Sequence, residues 1–392
     1  MGHYFLAPSS ADKWVFCSFN PSLEASMPDD DDTQESREGT AAHEVGTNII
    51  YAYLNNTEQP TPGGFASNGV LITNEIYESA KVYGDYVRDI VNEADLNIAD
   101  VVLIERSFHM PEIHDLNGGT PDVIIYDMRN GVIYVIDFKH GHRAVSAVEN
   151  WQLINYSRAA LTHFGIGSHN DASMRFEFRI IIPRCYDGQG PIREWSVPVR
   201  DMRAFYNRLE NAAYAATSGN PQAVPGKYCR DCKGRLHCDT LRDSGAVLAD
   251  FAAKGSTHSL DALALGFELN WLGQAQDIIK ARYDVLYTEA VTRTKKGEAV
   301  AGYSHDKSNA RLAWSLDPAI VVDTGKTLGL DLLKKVEPHT PTEALAIAKK
   351  VDKENGNENA TTALKALTFR PPGSSKLKRD EDTLAHRVFN KN

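Results

Sequence analysis

One segment constrains the fold more than any other, because two apolar runs of β-strand composition flank a short turn. Residues 121–128 read PDVIIYDM, and residues 131–138 read GVIYVIDF. Two runs rich in Val, Ile and Tyr, joined by two residues ahead of a glycine, predict a β-hairpin. Hairpin pairing sets the start of the first strand beside the end of the second, so Asp122 and Asp137 are predicted to be neighbours.

The same segment carries the side-chain types that phosphodiester hydrolysis uses. Mg²⁺ takes hard oxygen ligands and keeps several waters, so two carboxylates are enough to hold it. Lys139 follows Asp137 by two residues, and strand periodicity points both side chains to the same face. A lysine beside the metal positions the attacking water or stabilises the developing negative charge. The alternative interpretation is that Asp122 caps a turn while Asp137 and Lys139 form a surface ion pair.

The elements around the hairpin predict a mixed α/β core. Apolar residues recur every three or four positions where helices are predicted, and β-branched runs mark the strands. The additional predicted elements are a helix at 33–55, a second amphipathic helix from Ile76 to Ile90, a strand from Val101, a helix at 149–163 and a strand from Arg175. This order predicts a mixed central sheet flanked by helices.

The chain is predicted to divide near residue 245. Residues 1–245 hold the mixed α/β core, and residues 246–392 form a mostly helical C-terminal extension to which the sequence assigns no role. Within the extension, residues 257–295 predict a long helical stretch, Arg311 to Ser315 a strand, and the segment from Thr342 a short helix.

Composition favours a cytoplasmic globular protein with no membrane segment. Apolar residues make up 42% and charged residues 24% of the chain, and no apolar run approaches the roughly 20 residues of a membrane span. The net charge of −10 opposes non-specific binding to nucleic acid. Three basic clusters act in the other direction, and each fits either a solvated surface or a binding patch: 139–143, 227–235 and 376–379.

Three of the five cysteines form a close cluster that predicts metal ligation. Cys229, Cys232 and Cys238 have the spacing C-x₂-C-x₅-C, which suits zinc or an iron–sulfur cluster, and either takes a fourth ligand. Cys17 and His237 are the candidates for that ligand, and His237 would favour zinc. The remaining Cys185 is predicted to be a buried thiol.

Four motifs together resemble the RecB-like branch of the PD-(D/E)XK nucleases. They are EGTAAHE, GTPD, VIDFK and QLINY, in the order of that family. The resemblance covers residues 8 to 240 and implies a restriction-endonuclease-like core that cleaves DNA with Mg²⁺ or Mn²⁺, as an exonuclease. It assigns metal binding to His43, Asp122, Asp137 and the backbone carbonyl of Phe138, catalysis to these side chains with Lys139, and contact with nucleic acid to Gln152 and Tyr156. Glu105, in VLIERSF, is a further candidate carboxylate.

The cysteine pattern resembles the iron–sulfur nuclease domains of AddB and of CRISPR-associated RecB-like exonucleases. Those domains carry one cysteine before the nuclease core and three after it. The resemblance implies a [4Fe-4S] cluster held by Cys17, Cys229, Cys232 and Cys238. Zn²⁺ is the alternative cofactor, and free structural thiols are the third interpretation.

The combined pattern also resembles phage and prophage proteins of uncharacterised function built on this core. It implies DNA as the partner, together with phage recombination or replication proteins, inside the bacterial host cell. A competing hypothesis is a catalytically silent nucleic-acid-binding or scaffold protein whose fold is stapled by zinc or an iron–sulfur cluster.

Overall fold

The computed structural model describes residues 4–28, 33–94, 101–167, 173–253 and 261–303, with a few positions between 346 and 362. Two compact units make up the chain, residues 1–303 with 382–392, and residues 304–381. The predicted strand at 311–315 and the predicted helix start at Thr342 fall outside the described residues. The predicted division near residue 245 stays a prediction.

A five-stranded mixed sheet lies at the centre of the larger unit. The strands of the chain are β1 Val102–Ile104, β2 Phe108–His109, β3 Gly118–Gly119, β4 Val123–Asp127, β5 Val132–Phe138, β6 Arg175–Ile181 and β7 Ile192–Pro198. The central sheet has the order β1-β4-β5-β6-β7, while β2 and β3 pair separately. Only β5 and β6 are parallel neighbours, because a helix crosses over between them. The predicted mixed α/β class is confirmed.

The predicted hairpin is the β4–β5 pair. Val123 lies opposite Ile136, which sets Asp122 beside Asp137 as the sequence predicted. At the turn, the Asp127 carboxylate accepts hydrogen bonds from the backbone and side-chain amides of Asn130, at 3.1 and 2.7 Å. Gly131 follows with a φ of 63°, a conformation that glycine adopts without steric cost.

Helices cover both faces of the sheet. The α-helices of the described residues are α1 Ala11–Trp14, α2 Asn20–Ala25, α3 Gln34–Leu54, α4 Asn74–Ala94, α5 Trp151–His163, α6 Arg203–Thr217, α7 Asp239–Ala253 and α8 Ala262–Lys295. One apolar core joins α3 and α4 to one face, and a second core joins α1, α5 and α6 to the other. The predicted apolar stripes of α3 and α4 therefore point into a real core.

The contact between α3 and α4 is close because glycines replace side chains where the helices meet. A Cβ at Gly46 would lie 2.6 Å from Cδ1 of Tyr83, and one at Gly84 would lie 2.5 Å from Cγ2 of Ile49. Such distances are shorter than van der Waals contact, so neither position accepts a larger residue without a shift. This packing fixes α3 against the sheet edge at which the predicted site residues lie.

None of the helices among the described residues is long and apolar enough to cross a membrane.

Candidate functional site

Asp122 and Asp137 converge at one end of the β4–β5 hairpin. Both residues are buried, at 8% and 4% exposure. Oδ2 of Asp122 accepts a 2.7 Å hydrogen bond from the backbone N–H of Phe138, which orients this carboxylate toward the end of β5. The sequence-predicted pair is thus held by strand register and by one charge-assisted hydrogen bond.

Helix α3 brings His43 to the same place. Its Nδ1 lies 3.3 Å from Oδ1 of Asp122, and its ring centroid lies 5.1 Å from that of Phe138. Burial lowers the pKa of His43, but the negative charge and hydrogen bond of Asp122 outweigh it and raise this pKa to about 9. Burial likewise raises the pKa of Asp122, yet His43 and the Phe138 amide lower it overall. Without metal, His43 therefore carries the positive charge opposite Asp122.

Lys139 completes the predicted trio. Its Nζ lies 2.9 Å from Oδ2 of Asp137, and the attraction of Asp137 and then Asp122 raises the pKa of Lys139 despite burial. Asp137 itself has a raised pKa because burial disfavours its charged form and Asp122 repels it. Lys139 therefore stays an ammonium group and offsets the charge of two close carboxylates.

Gln152, on α5, connects Asp137 and Lys139 by hydrogen bonds. Its Nε2 donates to Oδ1 of Asp137 at 2.8 Å, and its Oε1 accepts from Nζ of Lys139 at 3.2 Å. The side-chain amide of Gln152 therefore holds both groups in one orientation. Contact between Gln152 and nucleic acid, which the resemblance implies, stays a prediction.

Two features of this cluster fit a divalent cation. Oδ2 of Asp137 is buried and accepts no well-aligned hydrogen bond within the described part of the chain, although Lys139 Nζ lies near it. The Lys139 ammonium offsets the charge of this oxygen, and the oxygen keeps a lone pair that a bound cation could use. The side chains of His43 and Lys139 are 32% and 34% exposed, so solvent reaches the cluster from one side.

Glu105 also lies at this site. The sequence analysis named it only as a further candidate carboxylate. Ligand atoms of His43, Glu105 and Asp122 lie within 4.8 Å of one another, the arrangement expected around one cation. Burial and the nearby Asp122 raise the pKa of Glu105 to about 7, and Thr47 Oγ1 lies 3.5 Å from its Oε1. Although Glu105 is exposed as a whole residue, its carboxylate therefore faces the cluster. Glu105 directly follows β1 and has a positive φ of 46°, which its residue type did not predict.

Tyr156 is buried below this cluster. The Tyr156 hydroxyl donates a 3.1 Å hydrogen bond to the carbonyl of Thr120. A Cβ at Gly119 would lie 3.0 Å from the hydroxyl oxygen of Tyr156. Tyr156 thus fixes the loop that leads into Asp122. Its predicted contact with nucleic acid remains a prediction.

Sequence reasoning missed Tyr83, which supports the site from behind. The ring of Tyr83 stacks on that of Phe138, with centroids 4.9 Å apart and planes at 2°. Its hydroxyl is buried and has no hydrogen-bond partner among the described residues. The helical stripe revealed only that Tyr83 faces the core.

His140 lies just beyond Lys139 and was also missed. Its Nε2 lies 2.7 Å from Nη1 of Arg184, and its Nδ1 lies 3.0 Å from Oγ of Ser79. Arginine only donates, so Nε2 accepts and the proton resides on Nδ1, which donates to Ser79. Burial and the charge of Arg184 lower the pKa of His140 to about 4, which keeps the ring neutral.

The second predicted site forms where the N-terminal segment meets the cysteine segment. Cys17, Cys229, Cys232 and Cys238 line one cavity and form no disulfide. Three of their sulfurs accept hydrogen bonds: from Val224 N to Cys17 at 3.5 Å, from Gly226 N to Cys229 at 3.3 Å, and from Asn20 Nδ2 to Cys232 at 3.4 Å. Burial raises the pKa of Cys17, Cys229 and Cys232.

The lining of this cavity distinguishes the two candidates for the fourth ligand, Cys17 and His237. Cys17 lines the cavity, whereas His237 is exposed and does not line it. Cys185, predicted to be a separate buried thiol, is buried elsewhere and accepts a long 3.7 Å contact from Arg193 Nη2. The arrangement therefore groups the four thiols that the sequence pattern selected.

Polar and steric contacts hold this junction together. Glu24 accepts from Nζ of Lys13 at 2.7 Å and from the backbone N–H of Lys233 at 3.0 Å. A Cβ at Gly234 would lie 2.2 Å from Cγ of Leu23, so α2 touches the cysteine segment at its backbone.

The fold and these side chains define a mixed α/β protein with a buried carboxylate–lysine cluster and a separate four-cysteine site. The chain belongs to the family described as "protein of unknown function (DUF2800)", whose model matches residues 3–384.

Proposed function

We propose that this protein is a metal-dependent nuclease that hydrolyses phosphodiester bonds of DNA with Mg²⁺ or Mn²⁺. The observation that carries the proposal is the convergence of His43, Asp122, Asp137 and Lys139, with 3.3 Å and 2.9 Å between the paired groups. An acid pair, an imidazole and an ammonium group at one solvent-accessible point match what phosphodiester hydrolysis requires. The sequence resemblance extends the proposal to an exonuclease that acts in phage recombination, replication or DNA degradation.

His43, Asp122 and Glu105 would hold the cation, since their ligand atoms lie within 4.8 Å of one another. The resemblance implies Asp137 and the backbone carbonyl of Phe138 as further ligands. When bound, the cation polarises the phosphate and makes a water nucleophilic near neutral pH. For this to occur His43 must lose its proton, because only a neutral imidazole nitrogen coordinates a metal. Asp122 is oriented in advance by the amide of Phe138, so little rearrangement is needed.

Lys139 is the catalytic cation of the proposed reaction. Its raised pKa keeps it charged, so it stabilises negative charge on the phosphate or orients the attacking water. Gln152 is a positioning residue, since its amide restrains both Lys139 and Asp137.

We propose further that the four cysteines hold a [4Fe-4S] cluster. Tetrahedral zinc requires thiolate sulfurs about 3.8 Å apart. Among the described residues, no three of the cysteines bring their sulfurs within 4.8 Å of one another, which favours the wider iron–sulfur cluster over zinc. The backbone and side-chain amides that donate to three of the sulfurs also suit such a cluster, whose potential responds to these hydrogen bonds.

Cleavage of end-labelled single- and double-stranded DNA, with RNA in parallel, tests the nuclease on protein purified without oxygen. We expect Mg²⁺-dependent cleavage that falls by about 10³-fold or more in Asp137→Asn and Lys139→Met. Lys81→Met is the matched control, because Lys81 pairs with Asp85 on the surface of α4. No cleavage by the wild type, or full cleavage by Lys139→Met, would contradict the proposal and favour a silent binding protein.

Optical and elemental measurements test the cofactor separately. A brown protein with iron, sulfide and absorbance near ~400 nm is expected for the cluster. Zinc in a colourless protein would replace this cofactor without affecting the nuclease proposal.

A further inference from the structure

Helix α8 presents a long apolar stripe to solvent. Ten large apolar side chains of α8 are exposed, and six of them form one row, between 41% and 59% exposed: Leu265, Leu269, Leu272, Ile279, Tyr283 and Leu286. The other four lie off this row: Leu263, Phe267, Trp271 and Tyr287. Single exposed apolar residues are ordinary, but a continuous row of this size marks a contact surface.

The spacing of the row is that of a coiled coil. With Gln276 included, the positions advance by four, three, four, three, four and three residues, an average of 3.5. A 3.5-residue repeat keeps a single seam facing a partner helix, and it extends here over roughly 32 Å of helix. The seam therefore fits another helix rather than a flat or irregular surface.

In its C-terminal half, the other side of α8 packs against its own chain, whereas Leu263, Phe267 and Trp271 on that side of the N-terminal half are exposed. Ala281 and Val285 are buried, and Ile278 and Ala281 pack with Cys229 and Leu241 of the cysteine site. Nη1 of Arg282 donates to the carbonyl of Leu236 at 2.9 Å. The docked side is rotated by roughly 135° from the exposed row, at about 100° per residue, so this docking holds the row outward.

We propose that α8 pairs in parallel with α8 of a second copy of this chain, which makes the protein a homodimer. Leu265, Leu272, Ile279 and Leu286 would occupy the d positions of the seam.

Three observations favour an identical partner. Gln276 is the one polar residue in the seam, and in a parallel pair it meets its own counterpart, which satisfies the amide and fixes the register. The flanking g and e' positions would pair Glu268 with Gly273, Ala275 with Lys280, Arg282 with Tyr287 and Glu289 with Thr294, so no like charges oppose each other. The apolar stripes of α3 to α6 lie in the two cores and are unavailable to the seam.

The size of the seam is adequate for a stable pair. Two such helices would bury on the order of 1,200 Å² in total, which reaches the lower bound for specific interfaces. The contact obeys two-fold symmetry, since the same residues meet from both copies.

Light scattering and sedimentation of the full chain test the proposal. We expect the wild type to have twice the chain mass of 43.3 kDa in the micromolar range. The variant Leu272→Lys/Ile279→Lys should be monomeric, with an unchanged unfolding midpoint when both are compared at low concentration. The matched control Met128→Lys/Tyr214→Lys adds the same charge at exposed apolar positions outside α8 and should remain dimeric.

Three results would overturn the proposal. A dimer that survives Leu272→Lys/Ile279→Lys would mean that another surface joins the copies. A monomeric wild type whose unfolding midpoint falls in this variant would mean that the same chain covers the seam. A monomeric wild type with an unchanged midpoint would leave the seam for a different protein.

Discussion

The two candidate sites are built in different ways. The carboxylate–lysine cluster lies at the end of a regular hairpin, where strand register sets two acids side by side and a core on each face of the sheet holds them. The cysteine site joins segments more than 200 residues apart, and among the described residues its local core contains three that are buried: Cys229, Leu241 and Ala281.

This difference indicates which site needs its cofactor in order to form. The carboxylate–lysine cluster forms from backbone hydrogen bonds and apolar burial. Protonated His43 and Lys139 supply the positive charge there in place of a metal. The cysteine site has little apolar area to offset the loss of chain entropy, so we expect bonds from sulfur to the proposed cofactor to contribute most of its stability. Four predictions test this contrast.

The largest effect is expected from the loss of one cysteine ligand. Cys229→Ser should release the cofactor and lower the free energy of unfolding by at least ~3 kcal/mol, because binding energy at such a site is folding energy. Chemical denaturation followed by circular dichroism measures this change. Cys185→Ser is the control, with an expected loss below about 1 kcal/mol and full cofactor content. Equal stability of the two variants would remove the contrast between the sites.

A smaller but still clear effect is expected at the junction of α2 with the cysteine segment. Gly234→Ala places a Cβ against Leu23, and such overpacking costs about 1–3 kcal/mol. Cofactor content should fall as well, since the backbone beside Cys232 must move. Gly219→Ala is the control, because no atom lies within 4 Å of its added Cβ. Full cofactor content in Gly234→Ala would show that the junction is looser than its contacts imply.

The third prediction concerns pH at the carboxylate cluster. The folded pKa of His43, about 9, exceeds its unfolded value of about 6.5. Its pairing with Asp122 therefore stabilises the metal-free protein fully below pH 6.5, and this contribution is lost as pH rises through 9.

Cation binding should follow the opposite direction, because it requires neutral His43. Mg²⁺ affinity is expected to rise by up to ~10-fold per pH unit between pH 7 and 9, with release of about one proton. Titration calorimetry in buffers of different ionisation enthalpy measures both quantities. Removal of His43 takes away a positive charge that lowers the pKa of Glu105, so some slope remains near pH 7 in His43→Ala. Between pH 8 and 9 the slope should disappear. A persisting slope would place the titrating group elsewhere.

The smallest effect is expected at Tyr83. Tyr83→Phe removes a buried hydroxyl that has no partner among the described residues while it keeps the ring stacked on Phe138. The free energy of unfolding should rise by about 1 kcal/mol, because an unsatisfied buried donor is costly. Thermal and chemical denaturation measure the change. A loss of stability would instead reveal a water or another group bound to this hydroxyl.

Edge elements were the hardest part of the fold to predict. Strand β7 and helix α6 escaped the sequence analysis, although β5, α3 and α5 lie close to their predicted bounds. Residues of β7 alternate between buried and exposed, and one of the buried side chains is Arg193, so no apolar run marks the strand. Central elements with long apolar patterns are readable, because burial on both sides leaves a strong compositional signal.

The sequence by itself determined the β4–β5 hairpin, the neighbouring positions of Asp122 and Asp137, the shared face of Asp137 and Lys139, and the close spacing of three cysteines. Each of these follows from short-range geometry, namely strand periodicity, hairpin register and turn chemistry.

Only the tertiary structure decided that Glu105 joins His43 and Asp122, that Cys17 rather than His237 lines the cysteine cavity, and that Tyr156 is buried. These facts depend on how distant segments pack. Local backbone preferences do not specify such contacts, because their free energy comes from burial and charge pairing that exist only once the chain has folded.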